Sequence, residues 1–497
     1  MDRNLLAWCA FGLYVALTTA LALRGMKKTT SFSGFALGNR DLGPTMVGIT
    51  LAAAIASTAT FVINPGFVFA HGVSALMHLG LAANLGVIVA LVLLSKGFRQ
   101  LGEKTAALTL PHWIGARYRH PGMRTYFALL NLVLAISFVV LIVKGSALVM
   151  QHTLGLGYVA SVLLIVIFVF SYILMGGTYA HVYTNAFQGG LMILVALAIF
   201  ASGFYLLEDG VGAFFDRIAA QDANLVAPVN PESSLFGSVW DVYVCGFVIG
   251  AGLMCQPHIL TKSLYLKKES DLRRYLIVAV VVGVIFALVL MAGLYARVRF
   301  PDIASQDEVM PIYLTRAFSP LVGVLISVAL LAAGMSTLDG LLVGASTIAA
   351  NDVFLGKLGD RWLAGKTENE RQTVALKASR WILVGMGVLS AGLALDPPEL
   401  VGIFAQVGIY GLVSASLVPV AAGIFVEELD SRDVFAAALL GPAVHFTHYL
   451  VSVYGYGQFV NPASTATEGV LVSVALLTAA TAFRRYRARN ALVVGAR

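Results

Sequence analysis

Thr45 to Gly66 reads TMVGITLAAAIASTATFVINPG, and this stretch decides the fold. It is apolar and long enough to cross a bilayer as one helix, for which about 20 residues suffice. Its middle, Ala56-Ser57-Thr58-Ala59-Thr60, is nevertheless small and hydroxylated, and it closes on Asn64-Pro65-Gly66. A second stretch, Ser238 to His258, has the same character. It reads SVWDVYVCGFVIGAGLMCQPH, with Gly246, Gly250 and Gly252 along it and Gln256-Pro257-His258 at its end. Interrupted helices at matching places in two halves of a chain indicate an inverted-repeat transporter with its site at the midplane. Broken backbone frees carbonyls for a cation and helix ends for an anion. A Gly- and Ser-rich span taken alone fits plain close packing equally well; the matched positions favour the interruption.

Working outward, apolar runs of this length recur along nearly the whole chain. About 13 spans are predicted: 5–23, 45–64, 73–95, 124–150, 157–175, 183–206, 238–260, 275–297, 318–350, 377–395, 400–425, 432–452 and 468–483. The runs are too long for barrel strands, so the fold class is an all-α polytopic membrane protein. Composition agrees, with 59% hydrophobic and 12% charged residues in 497 and a mean hydropathy of +0.84. A soluble surface needs more charge. The first run is too long for a signal-peptide core and lacks a cleavage pattern. Cys9, Cys245 and Cys255 show neither disulfide nor metal spacing. The histidines likewise offer no ligand set; His445 and His448 fit helix packing better than pairing.

The net charge of +7 does not point to nucleic acid, because the basic residues sort by side. With the N-terminus outside, the inside loops gather Arg24 to Arg40, Lys96 to Arg124, Lys262 to Arg274, Lys357 to Arg380, Arg432 and the tail arginines. Together these are about 27 of the 33 basic residues. That bias places the chain in the plasma (inner) membrane with its C-terminus in the cytoplasm. The basic tail reads as an anchor at the anionic inner leaflet. No nucleic-acid partner and no obligate protein partner is evident; the lipid bilayer, a small organic solute and an ion are the partners implied.

In order, several motifs resemble the sodium/solute symporter family, in its bacterial type. They are Phe35-Ala36-Leu37-Gly38-Asn39-Arg40 with Leu42-Gly43-Pro44; Ser57-Thr58-Ala59-Thr60-Phe61 with Pro65-Gly66; and Leu110-Pro111-His112-Trp113 with Arg117-Tyr118. Gly176-Gly177 with Tyr183 to Gly189, Gln256-Pro257-His258, Met335 to Asp339 and Asn351-Asp352 follow. The resemblance runs from about Phe35 to Phe425 and implies a LeuT-like fold of two inverted five-helix repeats. These would be 45–206 and 238–425, with a helix and loop at 1–44, an extracytoplasmic loop at 207–237, and two helices and a tail at 426–497.

The resemblance also implies a sodium site made of Ala53, Ala56, Ala333, Ser336 and Thr337. Helical arithmetic agrees, since 333, 336 and 337 share one face, which Gly340 and Gly344 extend. The plainer reading is that Ser336 and Thr337 bond back to their own helix. The family often has Thr-Asp where this chain has Thr184-Asn185. The lost charge predicts one sodium per cycle. Asp339 either acts in its place or is solvated near the inner mouth.

For substrate, the resemblance implies Ser57, Thr60 and Gln406, with Gln256 positioning the second broken helix. Lys144 is read from its setting, since a lysine inside a span costs roughly 2.5–3.5 kcal/mol near the centre. It is either a counter-charge for a substrate carboxylate or a side chain snorkelling to the outer interface. Gly250-Ala251-Gly252-Leu253-Met254 offers no aromatic platform for a sugar. The expectation is therefore a symporter for a monocarboxylate or other organic acid. An amino acid, a pantothenate-like or other neutral solute, proton coupling, or a transporter-like receptor acting through a separate partner remain as alternatives. No Ser/His/Asp set, metal ligands or phosphate loop suggests an enzyme.

Overall fold

A computed structural model of the protein describes residues 3–29, 31–358, 363, 365–397 and 401–495. Leu400, where a predicted span begins, and Arg361 and Arg497, counted among the predicted basic loop and tail residues, lie outside the described residues. Among those described, the chain is helical apart from turns and a lone bridge between Leu42 and Leu266. In chain order the helices of the bundle are α1 Asn4–Lys28, α2 Pro44–Ile55, α3 Ala59–His71, α4 Val73–Lys104, α5 Pro121–Leu154, α6 Tyr158–Leu174, α7 Gly177–Leu207, α8 Trp240–Leu253, α9 Pro257–Tyr265, α10 Glu269–Arg299, α11 Pro320–Gly356, α12 Asn369–Leu395, α13 Val401–Phe425, α14 Ser431–Gly455 and α15 Pro462–Arg487. Every predicted span falls on one of these helices or on one of two bent pairs. Helices dominate because each satisfies its own backbone where no water is available.

The bent pairs are α2 with α3, at 55°, and α8 with α9, at 62°. The cause is local in both. Pro44 starts α2, and the helix stops at Ala56, whose ψ of 84° is not helical. The Ser57 hydroxyl then accepts from the Ala59 amide at 3.0 Å and starts α3. Pro65, which lacks an N–H, follows a widened π turn at Ala59–Ile63. In the second pair Gln256 is extended, with ψ 144°, and Pro257 opens α9. The glycines before it serve packing. A β carbon at Gly250 would stand 2.0 Å from the Ala83 carbonyl of α4, and one at Gly86 would stand 2.1 Å from the Phe247 carbonyl.

One further break has a steric cause. Gly177 separates α6 from α7 with φ 54° and ψ −145°, a region that side chains other than hydrogen rarely enter. The Phe35 ring fills the space where its β carbon would be.

The helix α11 lies at the centre, with 83% of its apolar window buried, and packs on α2, α5 and α7. Polar clasps hold the two ends of the bundle. At one, Arg124 Nε donates to Asp352 Oδ1 at 2.7 Å and Thr109 donates to Asp352 Oδ2 at 2.6 Å. There too, Arg99 donates to the carbonyls of Ser263 and Leu266. At the other, the turn Gln306–Glu308 and the short helix Val309–Ala317 fold over α3 and α5. Lys144 Nζ on α5 lies 3.1 Å from Asp307 Oδ2 of that turn. A β carbon at Gly66 would stand 2.0 Å from the Gln306 carbonyl.

Candidate functional site

The last turn of α2 meets the middle of α11. Ser336 Oγ lies 2.8 Å from the Ala53 carbonyl and 2.8 Å from that of Ala333. Thr337 Oγ1 lies 3.2 Å from the Ala54 carbonyl and 3.5 Å from that of Ala333. The two hydroxyls therefore bond back to their own helix and also reach across to the broken one. Five neutral oxygens converge here, from residues that are all buried. Such a set suits a hard cation that prefers oxygen. Ala53, Ala333, Ser336 and Thr337 are thus together. Ala54 stands within hydrogen-bond distance of Thr337, while Ala56 sits at the break and lines the neighbouring cavity.

Two adjacent residues of α7 grip this part of α11. Asn185 Nδ2 donates to the Ser336 carbonyl at 2.8 Å, and its Oδ1 is buried without a hydrogen-bond partner among the described residues. Thr184 Oγ1 donates to Asp339 Oδ2 at 2.9 Å. The Tyr172 hydroxyl donates to Asp339 Oδ1. Asp339 is wholly buried, which corrects the reading that it is solvated near an inner mouth. Lys262, counted among the loop cations in the charge pattern, is also a correction. It is 0% exposed and donates to the His258 carbonyl at 2.7 Å. It follows Pro257 by one and a half turns of α9, so its stem enters the bundle.

The break of α2 and α3 opens on a cavity of about 190 Å³. Ser57, Thr60 and Gln406, the substrate candidates implied by the resemblance, line it together with Asn64, Asn84 and Tyr410, which were not among the candidates. None of its described lining residues is Lys, Arg, Asp or Glu. Phe138, Leu141, Ile249, Leu253 and Phe286 supply apolar walls. Asn64 carried a signal, standing beside Pro65 in the interrupted span; Asn84 and Tyr410 sit in ordinary apolar runs and gave none.

Lys144 lines no part of this cavity. Its ammonium pairs with Asp307 of the clasp at the end of the bundle, and its side chain keeps only 12% exposure. Gln256 caps α9 from a buried position beside a small void shared with His258 and Gly344.

Comparison with known proteins supplies the rest. The sodium:solute symporter family profile matches residues 35–441. The sodium/pantothenate symporter of Haemophilus influenzae is 26% identical over 433 residues, covering 85% of this chain and 86% of that one. The sodium/pantothenate symporter of Escherichia coli is 25% identical, covering 87% and 88%. A sodium/proline symporter of Staphylococcus aureus is 26% identical, covering 71% and 69%. Among solved structures, a sodium-coupled sialic acid symporter in a substrate-bound, outward-open state superposes with a TM-score of 0.76, at 17% identity and over 96% of this chain and 98% of that one. A nucleobase-cation-symport-1 family transporter superposes with a TM-score of 0.55, at 12% identity and over 92% and 95%. These two likenesses confirm the LeuT-like fold.

Proposed function

This chain belongs to the sodium:solute symporter family, and from that premise we propose that it takes up a small organic carboxylate together with one sodium ion. Membership carries sodium-coupled solute transport, sodium as the co-transported ion, and a multi-pass place in the membrane. The finer reading rests on one observation: the interrupted helix presents different groups on its two faces. Towards α11 it turns the carbonyls of Ala53 and Ala54, beside Ser336 and Thr337. Towards the cavity it turns Ser57, Ala59 and Thr60, the start of α3. A helix start carries the positive end of the helix dipole and suits a carboxylate. Asn64, Asn84 and Gln406 suit the neutral polar remainder of such a solute. Pantothenate and proline, after which the relatives are named, both carry a carboxylate: pantothenate as a net anion, which corrects its grouping with neutral solutes, and proline as a zwitterion.

In this reading Ala53, Ala333, Ser336 and Thr337, with the carbonyls at the break from Ala54 to Ala56, hold sodium. Ser57, Thr60 and Gln406 hold solute, and Asn185, Gln256 and Asp339 govern coupling. Lys144 acts through Asp307 rather than as a counter-charge. The two inverted repeats rock about the site in alternating access. The basic residues set the N-terminus outside and the C-terminus in the cytoplasm. Sodium bound at the α2–α11 junction steadies the break and raises solute affinity, a coupling typically worth about 1–3 kcal/mol.

A neutral solute is the second reading, favoured by the lack of a lysine or arginine among the described lining residues. The test is uptake into liposomes of labelled carboxylates, amino acids and sugars, with and without a sodium gradient. Sodium-driven accumulation of a carboxylate, lost in Ser336→Ala/Thr337→Ala, supports the proposal. Accumulation confined to uncharged solutes removes the carboxylate, and unchanged sodium-driven uptake in the double variant removes the sodium site.

A further inference from the structure

One turn along α11 from the sodium-site residues lies a second buried polar group whose members come from five helices. Asp339 stands three residues beyond Ser336 on α11, so it lies on nearly the same helix face. The hydroxyls of Thr184 and Tyr172 hold its two oxygens. Tyr14 of α1 is within electrostatic reach. From α9, Lys262 is within electrostatic reach too, although no direct ion pair joins it to Asp339 among the described residues. A β carbon built on the adjoining Gly340 would stand 3.6 Å from Lys262 Nζ, 3.6 Å from the His258 ring and 3.3 Å from the His181 ring. All these groups are buried. Both ring nitrogens of His181 and Nε2 of His258 have no hydrogen-bond partner among the described residues.

This cluster contains one carboxylate, one ammonium and two imidazoles, sealed from water. A carboxylate sealed in this way and given only two hydroxyl donors is costly unless a cation stands near it. Lys262 is the cation that does so, on an arm anchored to the second broken helix. We infer that Lys262 is a tethered counter-ion, its own ammonium supplying near Asp339 the positive charge that a mobile monovalent cation would otherwise bring. The consequence is a fixed stoichiometry: one sodium at Ser336 and Thr337, and none at Asp339. The imidazoles of His181 and His258 stand on the same side of Gly340 as the ammonium, whose acceptor among the described residues is the His258 carbonyl. Because Lys262 rides on α9 and Asp339 on α11, the attraction between the two charges also draws the broken helix towards the central one.

The inference rests on the sodium-site reading above, and the test separates the two. Labelled sodium is bound to the purified full-length protein, with no solute present, across a range of pH. The expected result is one sodium per chain for the wild type and none for Ser336→Ala/Thr337→Ala. For Lys262→Gln, Asp339 is expected to recruit a second sodium, so that the variant binds two per chain. Folded Lys262→Gln that binds only one sodium overturns the tethered counter-ion. Wild-type binding that survives Ser336→Ala/Thr337→Ala overturns the sodium site and leaves the Lys262 comparison intact. Should Lys262→Gln not fold, Asp339→Asn/Lys262→Gln removes both charges and is expected to fold and bind one sodium independently of pH. A double variant no better folded than the single one counts against the pairing.

Discussion

Ser336 contributes a hydroxyl that reaches both Ala333 and the broken helix. Ser336→Ala removes one oxygen of the proposed sodium site and is expected to weaken sodium activation about tenfold, equivalent to about 1.4 kcal/mol. The measurement is the sodium concentration for half-maximal uptake, and an unchanged value excludes Ser336 as a ligand. Lys144 and Asp307 make a second prediction. Burial pushes the Asp307 carboxyl up, and Lys144 opposes that shift. Lys144→Ala therefore leaves a largely buried carboxylate alone, at a cost of about 3 kcal/mol. The sign follows from linkage. A carboxyl raised in the folded state binds more protons there, so stability falls as pH rises above its unfolded value. The melting temperature of Lys144→Ala should thus recover on acidification and at neutral pH in Lys144→Ala/Asp307→Ala. A melting curve indifferent to pH would refute this. The sequence could mark Lys144 as costly and in need of a partner, but not name a partner 163 residues away. Asp339 was equally half-legible: its helix face follows from spacing, while its burial depends on Tyr172 and Thr184, which arrive from two other helices.

At the scale of elements, the spans and both interruptions were legible because membrane helices are long, apolar and uniform, and proline and small polar residues stand out within them. The angle of each bend was not legible, since it depends on where the second half finds its packing. Nor was the depth of α9. Lys262 looks like an interfacial cation by count, and only the 62° turn carries it inside. The Gly177 break gives an element-scale prediction. An alanine there faces both an unfavourable backbone region and the Phe35 ring, a strain of about 1–3 kcal/mol from the backbone alone. Gly177→Ala should lower the yield of monodisperse protein, with Phe35→Ala/Gly177→Ala recovering part of it. Equal yield for wild type and Gly177→Ala would show that α6 and α7 can join without the kink.

The whole molecule is a bundle clasped at both ends around a central α11, with a cavity on one side of the broken helix and a polar core on the other. Its two-fold repetition could be guessed from the pairing of the interruptions, but the clasps could not, because each joins residues far apart in sequence. The turn Gln306–Glu308 is the clearest case. It rests on Gly66 so closely that a methyl group there would displace its backbone. Gly66→Ala is expected to lift this turn, and a cysteine at Gln306 should then react faster with a water-soluble thiol reagent. Uptake should fall at the same time, and an unaltered labelling rate would show that the turn does not lean on Gly66. The same turn touches α3, which borders the cavity, and α5 through Asp307, yet Asp302 and Arg316 beside it stay exposed. A binding protein raised against that exposed hairpin would reach the broken helix from the aqueous phase. It could act as a non-competitive inhibitor that never enters the solute path.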